Sequence, residues 1–218
     1  MTSPFSTTDT TESLMDWFQL HNRKIAWAGA VVFALAVGGW FYTRSQDLKG
    51  ERAEKAYFTA QRSVAAGNLP LAESDLKKMI GRYAGTRAAM QARLELAQIM
   101  YEQGKIQQGL DELKPAEDEI GGSKEFGSTV HLVMASGLEQ LKKFSEAAAQ
   151  YEKAAKVARF DSDRQRYMSL AANAYLSGGD KAKAKAIWTE LGEDSKGTVA
   201  GEARVRLGEL NAAPEPKS

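Results

Sequence analysis

The sequence predicts an all-α protein in which a single N-terminal transmembrane helix precedes an α-solenoid of about four helix pairs and a C-terminal capping helix. Three observations lead to this prediction. Residues 25–43 form an uncharged apolar stretch, residue types recur every 37 or 38 residues through the polar remainder, and only five prolines occur in 218 residues. A recurrence of this length is typical of stacked helix-pair repeats.

The apolar stretch, residues 25–43, reads IAWAGAVVFALAVGGWFYT. A helix of this length rises ~28 Å, close to the thickness of the hydrocarbon core of a bilayer. Basic residues flank it, and Trp27 and Trp40 lie near its ends, where aromatic rings favour the lipid headgroups. We therefore predict a transmembrane helix over residues 23–44. A cleaved signal peptide would end in small residues instead of bulky aromatic ones.

Residues 1–22 are predicted as an N-terminal tail with an amphipathic helix. The apolar and aromatic positions of this helix have helical spacing; they are Leu14, Trp17, Phe18 and His21. Two interpretations stay open. The helix lies on the membrane surface or contacts a partner, or it is a plain lead-in to the span.

Small residues recur every fourth position within the span and predict a helix-packing ridge of Ala30, Ala34 and Gly38. Such ridges let a second transmembrane helix approach closely. Alanine and glycine are also common in spans without packing, so this alternative stays open.

Three classes of residue recur at separations of 37, 38 and 37 residues across residues 45–211, the predicted repeat domain. The turn positions are Gly67, Gly104, Lys142 and Gly179. The small positions are Ala72, Gly109, Ala147 and Ala184. The large apolar positions are Leu76, Leu113, Tyr151 and Trp188. A register shared by three residue classes predicts four helix pairs that must stack to bury their apolar faces.

This pattern resembles the tetratricopeptide repeat. The small residues before the turns match that family and are Ala60, Ala97, Ala135 and Ala172. Gly109 replaces the alanine expected in the second helix, and the proline that usually ends a unit is missing. We place the extra length of each unit in loops at residues 81–86 and 121–123. The resemblance implies that the first helix of each unit lines a concave groove.

Capping signals support the predicted helix boundaries. Asn68 has the side chain of an N-cap, and Ser162 and Gln165 have the spacing of a capping box. Residues 198–210 are predicted as the capping helix, and residues 212–218 as a disordered tail. The expected packing positions of the capping helix are Val199, Ala203, Val205 and Leu207.

The composition excludes several functional classes. With no cysteine there are no disulfides, thiolate metal sites or cysteine nucleophiles, and a net charge of +1 does not favour nucleic acid as a partner. We predict a non-enzymatic protein without cofactor or metal. His131 is predicted as a partly buried, hydrogen-bonded histidine. The charged runs expected to be solvated are Glu117, Asp118 and Glu119, and Lys181, Lys183 and Lys185.

The groove is the predicted protein-binding site. Its candidate residues, placed by the register, are Tyr57, Gln61, Leu94, Gln98, Tyr101, Leu132, Glu139 and Asn173. Their mixture of polar and apolar side chains suits emerging or unfolded polypeptide.

The layout also resembles the YfgM-like ancillary subunits of the Sec translocon. The residues that carry this resemblance are Asp16-Trp17-Phe18, Asn22-Arg23-Lys24, the span ending Gly39-Trp40-Phe41-Tyr42, and LELAQIMYEQGKIQQGLDEL at residues 94–113. The resemblance implies a single-pass protein of the bacterial inner membrane with its C-terminal domain in the periplasm. The implied partners are the lipid bilayer, the Sec translocon, a membrane-bound periplasmic chaperone and emerging polypeptide.

Charge alone does not fix the orientation of the span. Arg23 and Lys24 lie on one side, and Arg44 and Lys49 lie on the other. An alternative function also stays open, namely an envelope scaffold that holds folded partners in an assembly or division complex.

Overall fold

The computed structural model describes residues 8–119, 125–194 and 196–212, and every regular element in these residues is an α-helix. They form two compact units, one ending at Glu51 and the other beginning at Arg52. The predicted all-α fold class is confirmed. The helices are α1 (Thr8–Ala65), α2 (Leu69–Arg82), α3 (Arg87–Glu102), α4 (Ile106–Glu119), α5 (Gly127–Gln140), α6 (Phe144–Lys156), α7 (Asp161–Ser177), α8 (Lys181–Glu193) and α9 (Ala200–Ala212).

Several predictions lie outside the described residues. They concern residues 1–7, the side chains of the amphipathic segment up to residue 22, the side chain of Glu119, the loop at residues 121–123, and the tail from residue 213. One loop prediction can be refined, because α2 continues through Arg82. The first loop between units therefore covers residues 83–86.

The N-terminal unit contains the predicted span. Among the described residues, one helix has the length and apolar composition needed to cross a membrane. The part of this helix that could span the bilayer begins at Ala26. Its large side chains are uncovered: Trp27 is 73% exposed and Trp40 is 61% exposed. No atom lies within 4 Å of where a side chain at Gly38 would begin. The small-residue ridge through this glycine stays a prediction.

The four predicted turn positions all have left-handed backbone geometry. The residue after each turn donates its amide to the carbonyl five positions back, at 2.8–3.0 Å, which is the closing bond of a Schellman motif. Glycine adopts this geometry without steric cost, whereas lysine does so rarely. The φ angles are +70° at Gly67, +75° at Gly104, +58° at Lys142 and +84° at Gly179.

The small and large positions of the repeat register form the core. Three clusters of buried residues fill the repeat domain. The first lies among α1, α2 and α3, the second extends from α3 to α9, and a small third one lies between α6 and α7. All eight positions are buried, so the predicted register is confirmed; they are Ala72, Gly109, Ala147, Ala184, Leu76, Leu113, Tyr151 and Trp188.

One of the two capping predictions is wrong. Asn68 caps α2 as predicted, accepting from the amide of Leu71 at 3.2 Å. However, α7 begins at Asp161, before the predicted cap, and Gln165 has a tertiary role. Its amide oxygen accepts from the Thr198 amide at 2.7 Å, and its nitrogen donates to Asp194 at 2.7 Å. Gln165 thereby fixes the segment that leads into α9.

Helix α9 packs on the last unit as the predicted capping helix, with two differences. Ala203 is buried, and Val199 and Leu207 pack against the core. Val205 was expected to pack, but it is 61% exposed because it lies on the outer face of the helix. The helix also begins at Ala200 and continues to Ala212, two residues later than predicted at each end.

Candidate protein-binding groove

From Gln91 onward, helix α3 presents a single stripe of wholly or partly exposed side chains. It packs against α2, α4 and α5, which leaves one face uncovered. The side chains on that face are separated by four, three and four positions, so they lie along one side of the helix. They are Gln91, Glu95, Gln98 and Glu102. The corresponding stripe of α5 contains Thr129, Leu132, Ser136 and Glu139.

One position of this stripe repeats through all four units. Each buried alanine at the helix crossing, namely Ala60, Ala97, Ala135 and Ala172, is followed at once by a polar residue whose side chain is wholly or partly exposed. Three of these four residues carry a carboxamide and one carries a hydroxyl. We call this set the amide row; it consists of Gln61, Gln98, Ser136 and Asn173. Ser136 was not predicted from the sequence, although its place after Ala135 identifies it.

Six of the eight predicted groove residues are accessible, and two are not. Leu94 is 8% exposed and Tyr101 is 7% exposed, so both belong to the core and cannot contact a partner directly. Their assignment to the groove is wrong, because α4 and α5 cover the sides of α3 that carry them. The accessible residues are Tyr57, Gln61, Gln98, Leu132, Glu139 and Asn173.

Tyr101 fills a slot between two glycines of neighbouring helices. A methyl group at Gly109 would lie 2.5 Å from ring carbon Cε1, and one at Gly137 would lie 2.5 Å from the phenol oxygen. Both distances are well inside van der Waals contact. Gly109 therefore departs from the alanine of the other units because the Tyr101 ring occupies the space of the methyl group.

We expect Gly109→Ala to destabilise the protein, although alanine stands at this position in the other three units. Overpacking costs about 1–3 kcal/mol, and alanine recovers up to about 1 kcal/mol of helix propensity. Thermal unfolding should show a net loss of about 1 kcal/mol. In a Tyr101→Leu background, which empties part of the slot, the same change should cost less, although the Ala97 carbonyl oxygen would still lie 2.9 Å from the added methyl group. A stabilising effect of Gly109→Ala in the parent would contradict the slot.

Two tyrosines bind groove carboxylates. The Tyr57 hydroxyl is hydrogen-bonded to Glu95, and burial together with this carboxylate raises the pKa of Tyr57 to about 12. The Tyr151 hydroxyl donates to Glu139 Oε2 at 3.0 Å. Burial, and then the charge of Glu139, raises the pKa of Tyr151. Both phenols therefore stay protonated at neutral pH, and each holds one groove carboxylate in place.

A polar cluster joins the end of α4 to the third unit. Glu117 accepts from Lys153 at 2.6 Å and lies 3.9 Å from His131 Nδ1, which is 2.7 Å from Gln150 Oε1. Burial raises the pKa of Glu117, but Lys153, Gln150 and His131 outweigh it and hold this pKa below its ordinary value. His131 is buried and partnered as predicted. The solvated interpretation of Glu117 is wrong, whereas Asp118 is exposed as expected.

The three alternating lysines of α8 are exposed as predicted, but one of them has specific contacts. Lys183 Nζ lies 3.4 Å from Asp180 Oδ2 and 4.7 Å from the centroid of the Tyr175 ring. Among the described residues, no group of three or more potential metal ligands lies together.

A family model described as a tetratricopeptide repeat-like domain matches residues 15–212. The chain belongs to this family. The match begins before the apolar stretch, so the tetratricopeptide repeat-like domain as the family defines it includes residues 25–43 together with the repeats. No curated protein sequence matches the chain.

Solved structures with the same fold have low sequence identity to this tetratricopeptide repeat-like chain. A tetratricopeptide repeat protein from Parabacteroides merdae has a TM-score of 0.57 at 20% identity, over 74% of this chain and 61% of that one. Putative kinesin light chain repeats from Podospora anserina have a TM-score of 0.56 at 15% identity, over 74% of this chain and 86% of that one. MamA from Desulfovibrio magneticus RS-1 has a TM-score of 0.51 at 14% identity, over 77% of this chain and 99% of that one.

These likenesses show the fold alone. The chain spans about three fifths of the length of the Parabacteroides merdae protein. The stacked helix pairs are those of a protein–protein interaction module, which agrees with a groove whose exposed stripes are polar.

Proposed function

We propose that the chain is a membrane-anchored protein-interaction module that acts as an ancillary subunit of the bacterial Sec translocon. Its repeat domain lies in the periplasm and brings emerging or unfolded polypeptide to a membrane-bound periplasmic chaperone. The observation that carries the proposal is that one family match, residues 15–212, contains both a helix able to span a bilayer and a four-unit repeat.

Exposure within the apolar helix supports the membrane anchor. From Ala26 to Tyr42 every residue is exposed, and the aromatic side chains of Phe33, Trp40 and Phe41 are each more than half uncovered. Burying apolar surface contributes about 25 cal/mol per Å². A bilayer would cover this whole segment and would place Trp27 and Trp40 near its two headgroup regions.

Groove chemistry supports protein as the bound partner. The exposed stripes of α3 and α5 are made of amide, hydroxyl, carboxylate and aliphatic groups, which can match both the main chain and the side chains of a polypeptide. Peptides commonly bind such surfaces in extended form. Arg87, at the start of the α3 face, is paired with Glu125 at 2.7 Å, and the remaining exposed positions of the two stripes contain no lysine or arginine. The groove is therefore not built to hold the terminal carboxylate of a partner.

Alkaline phosphatase fused after Ser218 is expected to be active. The disulfides of this reporter form only in an oxidising compartment such as the periplasm, so activity reports on which side of the membrane the C-terminus lies. The matched control is the same fusion without residues 25–43, which should lose activity with the anchor. An inactive full-length fusion would place the repeat domain in the cytoplasm and would rule out the proposed role.

Crosslinking in the membrane distinguishes the translocon role from an envelope scaffold. A photoactivatable residue at Val37, beside the ridge of Ala34 and Gly38, should capture a translocon subunit. Ala34→Leu with Gly38→Leu should abolish this adduct by preventing close helix approach. Capture of a single folded partner of an assembly or division complex, without any translocon subunit, would favour the scaffold instead.

A further inference from the structure

The short connection between α6 and α7 exposes two large apolar side chains. Val157 follows the last residue of α6 and is 38% exposed, and Phe160 precedes the first residue of α7 and is 58% exposed. Single exposed apolar side chains are ordinary in proteins, but two on one short loop form a patch that needs an explanation. We call residues 156–160 the α6–α7 loop.

Phe160 stands where the fold would favour a different residue. It occupies the N-cap position of α7 and makes no side-chain hydrogen bond there. Serine, threonine, aspartate and asparagine are preferred at an N-cap because their oxygens accept from the free amides of the first turn. Thr86 does this for α3, and Phe126, at the N-cap of α5, packs against the core instead. Phe160 does neither, so folding does not explain it.

Two cations flank this exposed phenylalanine, and neither is neutralised. Lys156 is exposed and has no ion pair among the described residues. The Arg159 guanidinium lies 5.3 Å from the centroid of the Phe160 ring and has no acidic partner in the described part of the chain. The next two carboxylates, Asp161 and Asp163, each lie 3.6 Å from an arginine of α7. The free charge of the α6–α7 loop is therefore positive.

The size of the patch decides what kind of partner it fits. A stable protein interface buries about 800 Å² on each partner, which is more than a loop of five residues offers. A bilayer surface needs no such area when the chain already has a membrane anchor, because the anchor gives the second contact a high effective concentration. Apolar side chains beside unpaired cations are also the combination that binds the headgroup region of anionic membranes.

We infer that the α6–α7 loop contacts a bilayer surface that contains anionic phospholipid. Val157 and Phe160 enter the headgroup layer, and Lys156 and Arg159 pair with the lipid phosphates. This inference rests on the proposed function, because it needs the chain to be anchored in a bilayer. It adds a second lipid contact, made by the repeat domain itself, and it explains why an exposed phenylalanine replaces a helix cap.

The test places one copy of the full chain in each lipid nanodisc. The chain has no cysteine, so a cysteine introduced at the exposed Ser162 can carry the fluorophore NBD beside the loop without replacing any loop residue. The discs contain phosphatidylcholine alone or in equal parts with phosphatidylglycerol, with or without a lipid that carries a doxyl quencher just below its headgroup. We expect quenching in the phosphatidylglycerol discs. A probe at Ala149, on the exposed face of α6, should not be quenched.

The variant Phe160→Ser separates lipid contact from folding. It should abolish the quenching without lowering the melting temperature, because serine is a favoured N-cap. A loss of contact in a protein that is at least as stable as the parent cannot come from unfolding. The matched control is Val205→Ser, which removes another exposed apolar side chain and should leave the quenching unchanged.

The double variant Lys156→Gln/Arg159→Gln tests the charge. It should lower the ratio of lipid-bound to free loop about tenfold or more in the phosphatidylglycerol discs, since each basic residue contributes to binding at an anionic surface. Its control, Lys181→Gln/Lys185→Gln, removes two exposed lysines of α8 and should bind lipid as the parent does.

Several results would overturn the inference. These are no quenching at Ser162, equal quenching at Ala149, equal quenching in the two lipid compositions, or unchanged quenching in the Phe160→Ser variant. A probe response that needs a second copy of the chain or an added acidic peptide, without lipid quenching, would assign the loop to that partner instead. If such a result accompanies an active phosphatase fusion, the proposed function stands and the inference fails. Lipid contact with an inactive fusion would leave the inference standing without the proposed location.

Discussion

Replacing Leu94 and Tyr101 together with serine is expected to unfold the repeat domain, not to weaken binding selectively. Both side chains are buried in the core, and Tyr101 fills the slot between Gly109 and Gly137. Large-to-small changes at such sites cost about 2–5 kcal/mol each. The pair therefore approaches the total stability of a typical domain, about 5–15 kcal/mol. Circular dichroism of the full chain should show a large fall in the melting temperature.

The control for this experiment is Gln98→Ser on the same helix. Gln98 is exposed, and surface substitutions usually change stability by less than about 0.5 kcal/mol. Its melting temperature should match that of the parent. Suppose that the Leu94/Tyr101 variant has the melting temperature of the parent but loses partner binding. These residues would then line the groove, and the described packing of α3, α4 and α5 would be wrong.

Ala147→Leu is expected to give the second-largest loss of stability. Ala147 is fully buried at the crossing of α5 and α6, where added methylenes force the helices apart. Overpacking of this kind typically costs about 1–3 kcal/mol, and occasionally more. Denaturant unfolding should show the loss as a lower midpoint with an unchanged slope.

Ala149→Leu is the matched control, because it makes the same substitution two positions away, on the exposed face of α6. Its midpoint should stay close to that of the parent, since the added side chain meets solvent. It is a cleaner control than Lys183→Leu, because Lys183 contacts Asp180 and the Tyr175 ring. Equal midpoints for the two leucine variants would show that Ala147 does not mark the helix crossing.

The repeat architecture could be predicted from the sequence because its signals are local and periodic. Left-handed turns favour glycine, and three of the four turns have it. The small residues at the helix crossings follow at a fixed distance from these turns. Even Lys142, a residue that rarely adopts this geometry, could be placed by its position in the register alone.

The two misplaced groove residues depend on contacts that no local pattern reveals. The register puts Leu94 and Tyr101 on the first helix of their unit, but it does not show which side the next unit covers. The slot for Tyr101 is made by Gly109 and Gly137, which lie on different helices. In the sequence, Gly109 only stood out because the other three units have alanine at this position. The Tyr101 ring explains the difference, because it lies where the alanine methyl group would be.

Long-range polar contacts were missed for a similar reason. Ser162 and Gln165 have the spacing of a helix cap, yet Gln165 binds Thr198 and Asp194 far along the chain. Glu117 lies in an acidic run that predicted solvent exposure, but its carboxylate accepts a hydrogen bond from Lys153 on the next unit. Spacing describes neighbours within one helix, and these partners are set by the stacking of units.

Site-specific photocrosslinking in intact cells tests most directly whether the groove carries recognition. A photoactivatable residue at Glu102 lies on the exposed stripe of α3 without replacing a member of the amide row, and one at Ala149 lies on the exposed face of α6. We expect polypeptide adducts from position 102, reduced in the Gln98→Ala/Ser136→Ala/Asn173→Ala variant, and none from position 149. Adducts from position 149 alone, or equal adducts from both positions, would contradict the account.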